Sequence, residues 1–177
     1  MIMADILKIL LIILGILTIY VSYWLLSEAL FPALVQGAAR QYSKPLKITL
    51  VGLGVAVVPV VLGLVLANAP NPLIKLIGLT MVVLPALLGL AGSAGLTLRI
   101  GAGLPSPVDE AQPWKRVLRG GILLACSFLL PVVGWIILPL WVLVSGFGAF
   151  VLYRREVKHN QPASAPVNLV SPNPIAG

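Results

Sequence analysis

Gly120-Gly-Ile-Leu-Leu-Ala-Cys-Ser-Phe-Leu-Leu-Pro131-Val-Val-Gly134-Trp-Ile-Ile-Leu-Pro139-Leu-Trp-Val-Leu-Val-Ser-Gly146-Phe-Gly148-Ala-Phe-Val-Leu-Tyr153 is a run of 34 residues without Asp, Glu, Lys, Arg or His. Basic residues close it at both ends, with Lys115, Arg116 and Arg119 before it and Arg154, Arg155 and Lys158 after it. A bilayer core of roughly 30 Å takes about 20 helical residues to cross. The run is therefore too long for one upright span and somewhat short for two. Pro131, Gly134 and Pro139 stand near its middle, where proline removes a helical hydrogen bond and glycine allows a tight turn. The stretch reads as a membrane segment broken at its centre.

Two foldings fit such a segment. One is a hairpin with its tip at residues 130–135, joining short helices near residues 120–130 and 136–153. The other is a single long, proline-kinked helix with an external C-terminus. The distribution of charge favours the hairpin. Arg40, Lys44 and Lys47 share one connector, Arg99, Lys115, Arg116 and Arg119 another, and Arg154, Arg155 and Lys158 follow the last run. Under the positive-inside rule all three regions are cytoplasmic, so an even number of crossings or a re-entrant hairpin separates Arg119 from Arg154.

Outward from this run, three further apolar segments read as full transmembrane helices: residues 6–26, 48–67 and 73–98. The first could be taken for a signal peptide behind Lys8, but its apolar run continues to Leu26 with no small-residue cleavage site, so it reads as retained. Residues 27–34 are mixed in character and read as interfacial, with Pro32 permitting a change of direction. Asn68-Ala-Pro-Asn-Pro72 reads as a tight turn on the outside. Trp114 beside two basic residues is a typical interfacial anchor. Residues 161–177 are rich in Pro, Ala and Asn and too polar for a core. The expected organisation is a first helix with an interfacial segment (1–36), a membrane hairpin bundle (37–160) and an extended tail (161–177). The expected fold is all-α and polytopic, with 4–5 crossings and the N-terminus outside.

Composition agrees. Hydrophobic residues make up 59% of the 177 and charged residues 10%, with a mean hydropathy of +1.06. Soluble domains carry about 25% charge. The net charge of +7 is no nucleic-acid signature, because the basic residues sit at the ends of apolar segments, where they set orientation and meet lipid headgroups. A weak internal echo links the second and third spans to the last run: Lys47-x-x-Leu50-x-Gly52 matches Lys115-x-x-Leu118-x-Gly120, and Pro59-Val-Val-x-Gly63 resembles Pro131-Val-Val-Gly134.

These features together resemble an uncharacterised bacterial membrane domain often found beside bactofilin-type polymer-forming segments. The resemblance covers residues 46–153. It rests on the two apolar hairpins, Leu98-Arg99-Ile100-Gly101, Trp114, the Leu-Pro-Val-Val-Gly-Trp run at 130–135 and Ser-Gly-Phe-Gly-Ala at 145–149. It implies a membrane anchoring or organising role, in a prokaryotic plasma or internal membrane, with no catalysis to carry over. The chain departs from that architecture by lacking a β-helical polymer-forming region.

The chemical inventory is sparse. The five acids are Asp5, Glu28, Asp109, Glu110 and Glu156, and His159 and Cys126 are the single residues of their kinds. No metal shell and no nucleophile–histidine–acid set can be assembled from them within the spans. Coupled carriers keep ionisable groups inside their spans, and the second, third and last segments have none in their interiors. Glu28 lies one turn past the first span and reads as a headgroup-level or inter-subunit contact. The sequence requires no cofactor and leaves room for a bound lipid or pigment.

Small residues are the strongest positive signal. Gly52, Gly54 and Gly63 line the second span, Gly89, Gly92 and Gly95 the third, and Gly146 and Gly148 the last, which is the usual material of membrane helix interfaces. Such positions pack either within the chain or against another subunit, a lipid or a flat pigment. The function expected is that of a non-enzymatic accessory subunit, acting by helix packing and tail docking among membrane lipids and other integral membrane subunits. The alternative is a small channel or carrier for an uncharged or lipid-like solute.

Overall fold

The computed structural model describes residues 2–104, 112–130 and 133–160. Its helices are α1 (Ile2–Leu30), α2 (Pro32–Gln41), α3 (Pro45–Ala67), α4 (Pro72–Ala102), α5 (Pro113–Ser127) and α6 (Leu138–Asn160), the last preceded by a π-helical turn, Val133–Ile137. Helices α2, α3, α4 and α5 each begin on a proline. At the first helical position the missing N–H costs nothing and the fixed φ suits the helix. Ahead of α4, the Asn71 side chain accepts from Leu73 N at 3.0 Å and caps the helix. Pro139 falls at the start of α6 and cannot donate to the carbonyl four residues back, which accounts for the wider π winding just before it.

Helices α1, α3 and α4, and the π-turn joined to α6, are long and apolar enough to cross a membrane. The protein is an all-α polytopic membrane protein, and no strand occurs among the described residues. Close approaches between helices fix their directions. Gly89 meets Leu143 and Gly92 meets Gly146, so α4 and α6 run parallel. Gly63 against Gly78, and Gly52 against Val144 and Gly148, set α3 antiparallel to both. Thr97 and Gly101 face Gly120 and Arg116, so α5 runs antiparallel to α4. Ring contacts of Tyr20 with Phe128 and of Trp24 with Gly121 align α1 antiparallel to α5.

Helices α5 and α6 therefore form a hairpin with unequal arms. With 15 residues, α5 is roughly 22 Å long and cannot cross the core. Its end reaches only the level of Tyr20, well inside α1. The first arm lies earlier than residues 120–130, because Pro113 starts the helix and its basic first turns belong to it. The second arm is longer than residues 136–153, running from Val133 to Asn160. Pro131, expected at the tip, lies outside the described residues, as do Asp109, Glu110 and the tail at 161–177. Around the tip the backbone closes its own hydrogen bonds: Leu129 N donates to Cys126 O, Leu130 N to Ser127 O, and Gly134 N to Leu130 O at 2.9 Å. Backbone at membrane depth needs such partners.

The expected interfacial stretch at 27–34 divides between two helices. α1 continues to Leu30, the chain turns at Phe31, and α2 crosses from the α1 side towards α3 over α4 and α6. α2 thus runs across the boundary drawn at residue 36, burying Val35, Gly37 and Ala38. α4 outruns its expected end at Leu98 because Gly101 is packed against Arg116 of α5. Two cores result. Trp24, Val35, Ala94, Val117, Leu124, Phe128 and Val142 form one among α1, α2, α4, α5 and α6, and Ala38, Tyr42, Ile48 and Ala149 form the other beneath α2.

Candidate functional site

The helix directions bring ten of the twelve basic residues to one end of the bundle. Arg40, Lys44 and Lys47 flank the α2–α3 connector. Arg99 closes α4, Lys115, Arg116 and Arg119 open α5, and Arg154, Arg155 and Lys158 close α6. Lys8 and Lys75 lie towards the other end, near the Asn68–Pro72 turn. Arg119 points to the basic end: its Nε donates to Lys115 O at 3.5 Å and its Nη1 to Leu104 O at 3.4 Å. This is the snorkelling expected of a long cationic side chain at a helix end. Lys115 Nζ stands 5.7 Å from the half-exposed Trp114 ring. Across the same face Gln41 Nε2 donates to Glu156 Oε2 at 2.7 Å, tying α2 to α6.

Seven of the eight glycines singled out as packing positions stand at helix contacts within the chain. A Cβ on Gly52 would run into Val144 O, on Gly148 into Ile48 O, on Gly92 into Gly146 O, and on Gly146 into Gly89 O. Gly63 faces Gly78, Gly89 faces Leu143, and Gly95 faces Ala38 and Ala39 of α2. Gly54 faces open space. Of the kink residues, Pro59 lies inside α3, Gly134 sits over the Ser127 and Phe128 carbonyls, and Pro139 is in the first turn of α6.

Three more side-chain pairs are hydrogen-bonded across the seams. Trp24 Nε1 donates to Ser93 Oγ at 2.9 Å in full burial, linking α1 to α4. Trp141 Nε1 donates to Thr49 Oγ1 at 3.2 Å, linking α6 to α3. The Tyr42 and Ser145 hydroxyls are 3.3 Å apart, and since Ser145 also donates to Val142 O, Tyr42 is the donor between them. Burial pushes the Tyr42 phenol well above its ordinary value, against a smaller opposing effect of the Ser145 bond.

Two features remain unsatisfied by the chain itself. Glu28 is 5% exposed, and its Oε2 has no hydrogen-bond partner. The headgroup-level position expected for it is thus a buried one. On α1, every side chain from Met3 to Ile12 is exposed, and this stretch is apolar apart from Asp5 and Lys8. Between α1 and the hairpin tip lies an apolar groove of about 250 Å³ floored by Tyr20, Phe128 and Gly134. Among the described residues no group of three His, Cys, Asp or Glu side chains gathers in a metal-binding arrangement.

Sequence reading missed four closely packed glycines. Gly37 lies under the Tyr153 ring, Gly78 against Gly63, and Gly101 and Gly120 against each other's helices. Gly101 and Gly120 sit among charges and loop-like residues, which hid the α4–α5 crossing. The doublet Gly120-Gly121 at the head of an apolar run was the available signal. No family model, curated protein or solved structure matches the chain.

Proposed function

We propose that this protein is a non-enzymatic accessory subunit of a membrane protein complex, held in a prokaryotic plasma or internal membrane with its basic end in the cytoplasm and its N-terminus outside. The observation that carries the reading is the outer half of α1. The glycine seams pack the chain's own helices together, yet about three turns of α1, Met3 to Ile12, stand exposed beside the short hairpin with no neighbour among the described residues. Without a hydrophobic driving force between helices in lipid, such a surface associates through shape and packing. The groove next to it gives a second helix a place to seat. The concentration of ten cations at one end supports the orientation. The tail at 161–177 adds a Pro-rich segment suited to docking along a partner.

Photocrosslinking in intact membranes tests the proposal. A photoreactive residue at Leu10 is expected to give discrete adducts with other integral membrane proteins, while one at the still more exposed Leu50 of α3 gives lipid adducts only. Lipid adducts alone from both positions would overturn the accessory reading and move attention to solute flux in liposomes.

A further inference from the structure

A second cleft, of about 540 Å³, opens between the end of α1, the start of α2, the middle of α4 and the last turns of α6. Its walls are apolar over most of their extent, with Leu34, Leu87, Ala91 and Phe150 among the lining side chains. Three lining side chains carry polar atoms, one of them Tyr153. The Tyr23 hydroxyl already donates to Leu87 O at 3.0 Å. The third is Arg154, the one charged residue among the described lining.

Arg154 has chemistry to spare. Its guanidinium carbon lies over the Phe150 ring, 5.9 Å from the ring centre. Its fork of N–H donors matches phosphate oxygens. The nearest acid on the helix, Glu156, is held by Gln41. Arg155 follows and Lys158 lies one turn on, both exposed; they line a neighbouring surface pocket that shares Phe150 and Arg154 with the cleft, so positive charge gathers beside its mouth. The walls are also fixed in place. The Tyr153 ring lies so close over Gly37 that no side chain fits there, which locks α2 to α6 along the cleft.

The dimensions suit one ligand class. Leu143 of α6 stands level with Gly89 of α4, just beyond Leu87, and from there to Arg154 is roughly 16 Å along the helix. That is the scale of a fatty acyl chain beneath its headgroup. We propose that this cleft is a binding site for an anionic glycerophospholipid, with one acyl chain between α1, α2 and α4 and the phosphate on the Arg154 guanidinium. The inference is independent of the accessory role.

The test uses the full chain in mild detergent, with phosphatidylglycerol and phosphatidylcholine of identical acyl chains added in equal amounts and retained lipid read by native mass spectrometry. The wild type is expected to keep one phosphatidylglycerol in preference to phosphatidylcholine. Arg154→Gln is expected to lower that preference about tenfold, the scale of one charged hydrogen-bonded contact, and Arg154→Lys to retain part of it. Lys44→Gln, which removes an exposed cation at the same end of the bundle but away from the cleft, is expected to keep it. Ala91→Phe, which fills the apolar floor, is expected to lose both lipids. Equal retention of the two lipids by the wild type, or an undiminished preference in Arg154→Gln, would overturn the site. So would displacement of phosphatidylglycerol by millimolar inorganic phosphate alone, since that would show an anion site without an acyl pocket.

Discussion

The indole of Trp24 donates to the Ser93 hydroxyl at 2.9 Å, and both residues are wholly buried. Ser93 in turn donates to Leu90 O at 2.7 Å, so its single proton is used and its lone pair is what Trp24 takes up. The pair joins α1 to α4, and the Tyr20 and Phe128 rings pack at tilted and edge-on angles around the indole to bring in the tip of the α5–α6 hairpin. Trp24 thus fastens the first helix to the rest, alongside the Tyr23 bond to Leu87 O.

Trp24→Phe keeps most of the ring and loses the donor, and is expected to lower stability in detergent by about 1 kcal/mol. Ser93→Ala should cost a similar amount, and the double variant little more than either single one, because one bond is removed once. Thermal unfolding of the three variants checks this. Additive losses would mean that the two side chains act separately.

The glycine seams predict a sharp contrast within one helix. Gly52→Leu drives a side chain into the α6 backbone at Val144 and should prevent accumulation of folded protein. Gly54→Ala points into open space and should be neutral or stabilise by up to about 1 kcal/mol, through the better helix propensity of alanine. Monodisperse yield from size-exclusion chromatography separates these outcomes.

Glu28 carries a buried carboxylate oxygen with no partner. An amide of the same shape removes the charge and adds a donor, so Glu28→Gln should melt no lower than the wild type. A clearly lower melting temperature would show that the carboxylate is engaged by a group not seen here.

Tyr42 gives a pH dependence. Its ordinary value is 10.0, and burial raises it in the folded protein. Below about pH 9 the phenol is neutral in both states and contributes no slope. Above pH 10 only the unfolded chain ionises readily, so stability falls as pH rises. Tyr42→Phe should be less stable at pH 8, having lost the Ser145 bond, and should show a shallower decline between pH 9 and 11. Parallel curves for the two proteins would contradict the burial.

The spans were legible from the sequence because an apolar run bounded by turn residues and charges dictates a helix in lipid whatever its neighbours. The hairpin followed from Pro131, Gly134 and Pro139 together with the placement of cations. Helix ends were less legible. Arg99 and Lys115 looked like loop residues, yet α4 runs past the first and α5 begins before the second, because Gly101 and Gly120 let the two helices cross there. The role of Trp24 was invisible, since an indole near the end of a span reads equally as an interfacial anchor. Its partner is 69 residues away and marked only by a serine in a small-residue stretch.

The central claim is that residues 120–153 turn back within the membrane, placing all ten cations on one face. Site-directed cysteine labelling in sealed vesicles, on a Cys126→Ala background, tests it most directly. Single substitutions Ser43→Cys, Gln112→Cys and His159→Cys are expected to react with an impermeant maleimide from one side, and Asn68→Cys from the other. Labelling of His159→Cys from the same side as Asn68→Cys would show that the last run crosses once as a kinked helix, and would contradict the account.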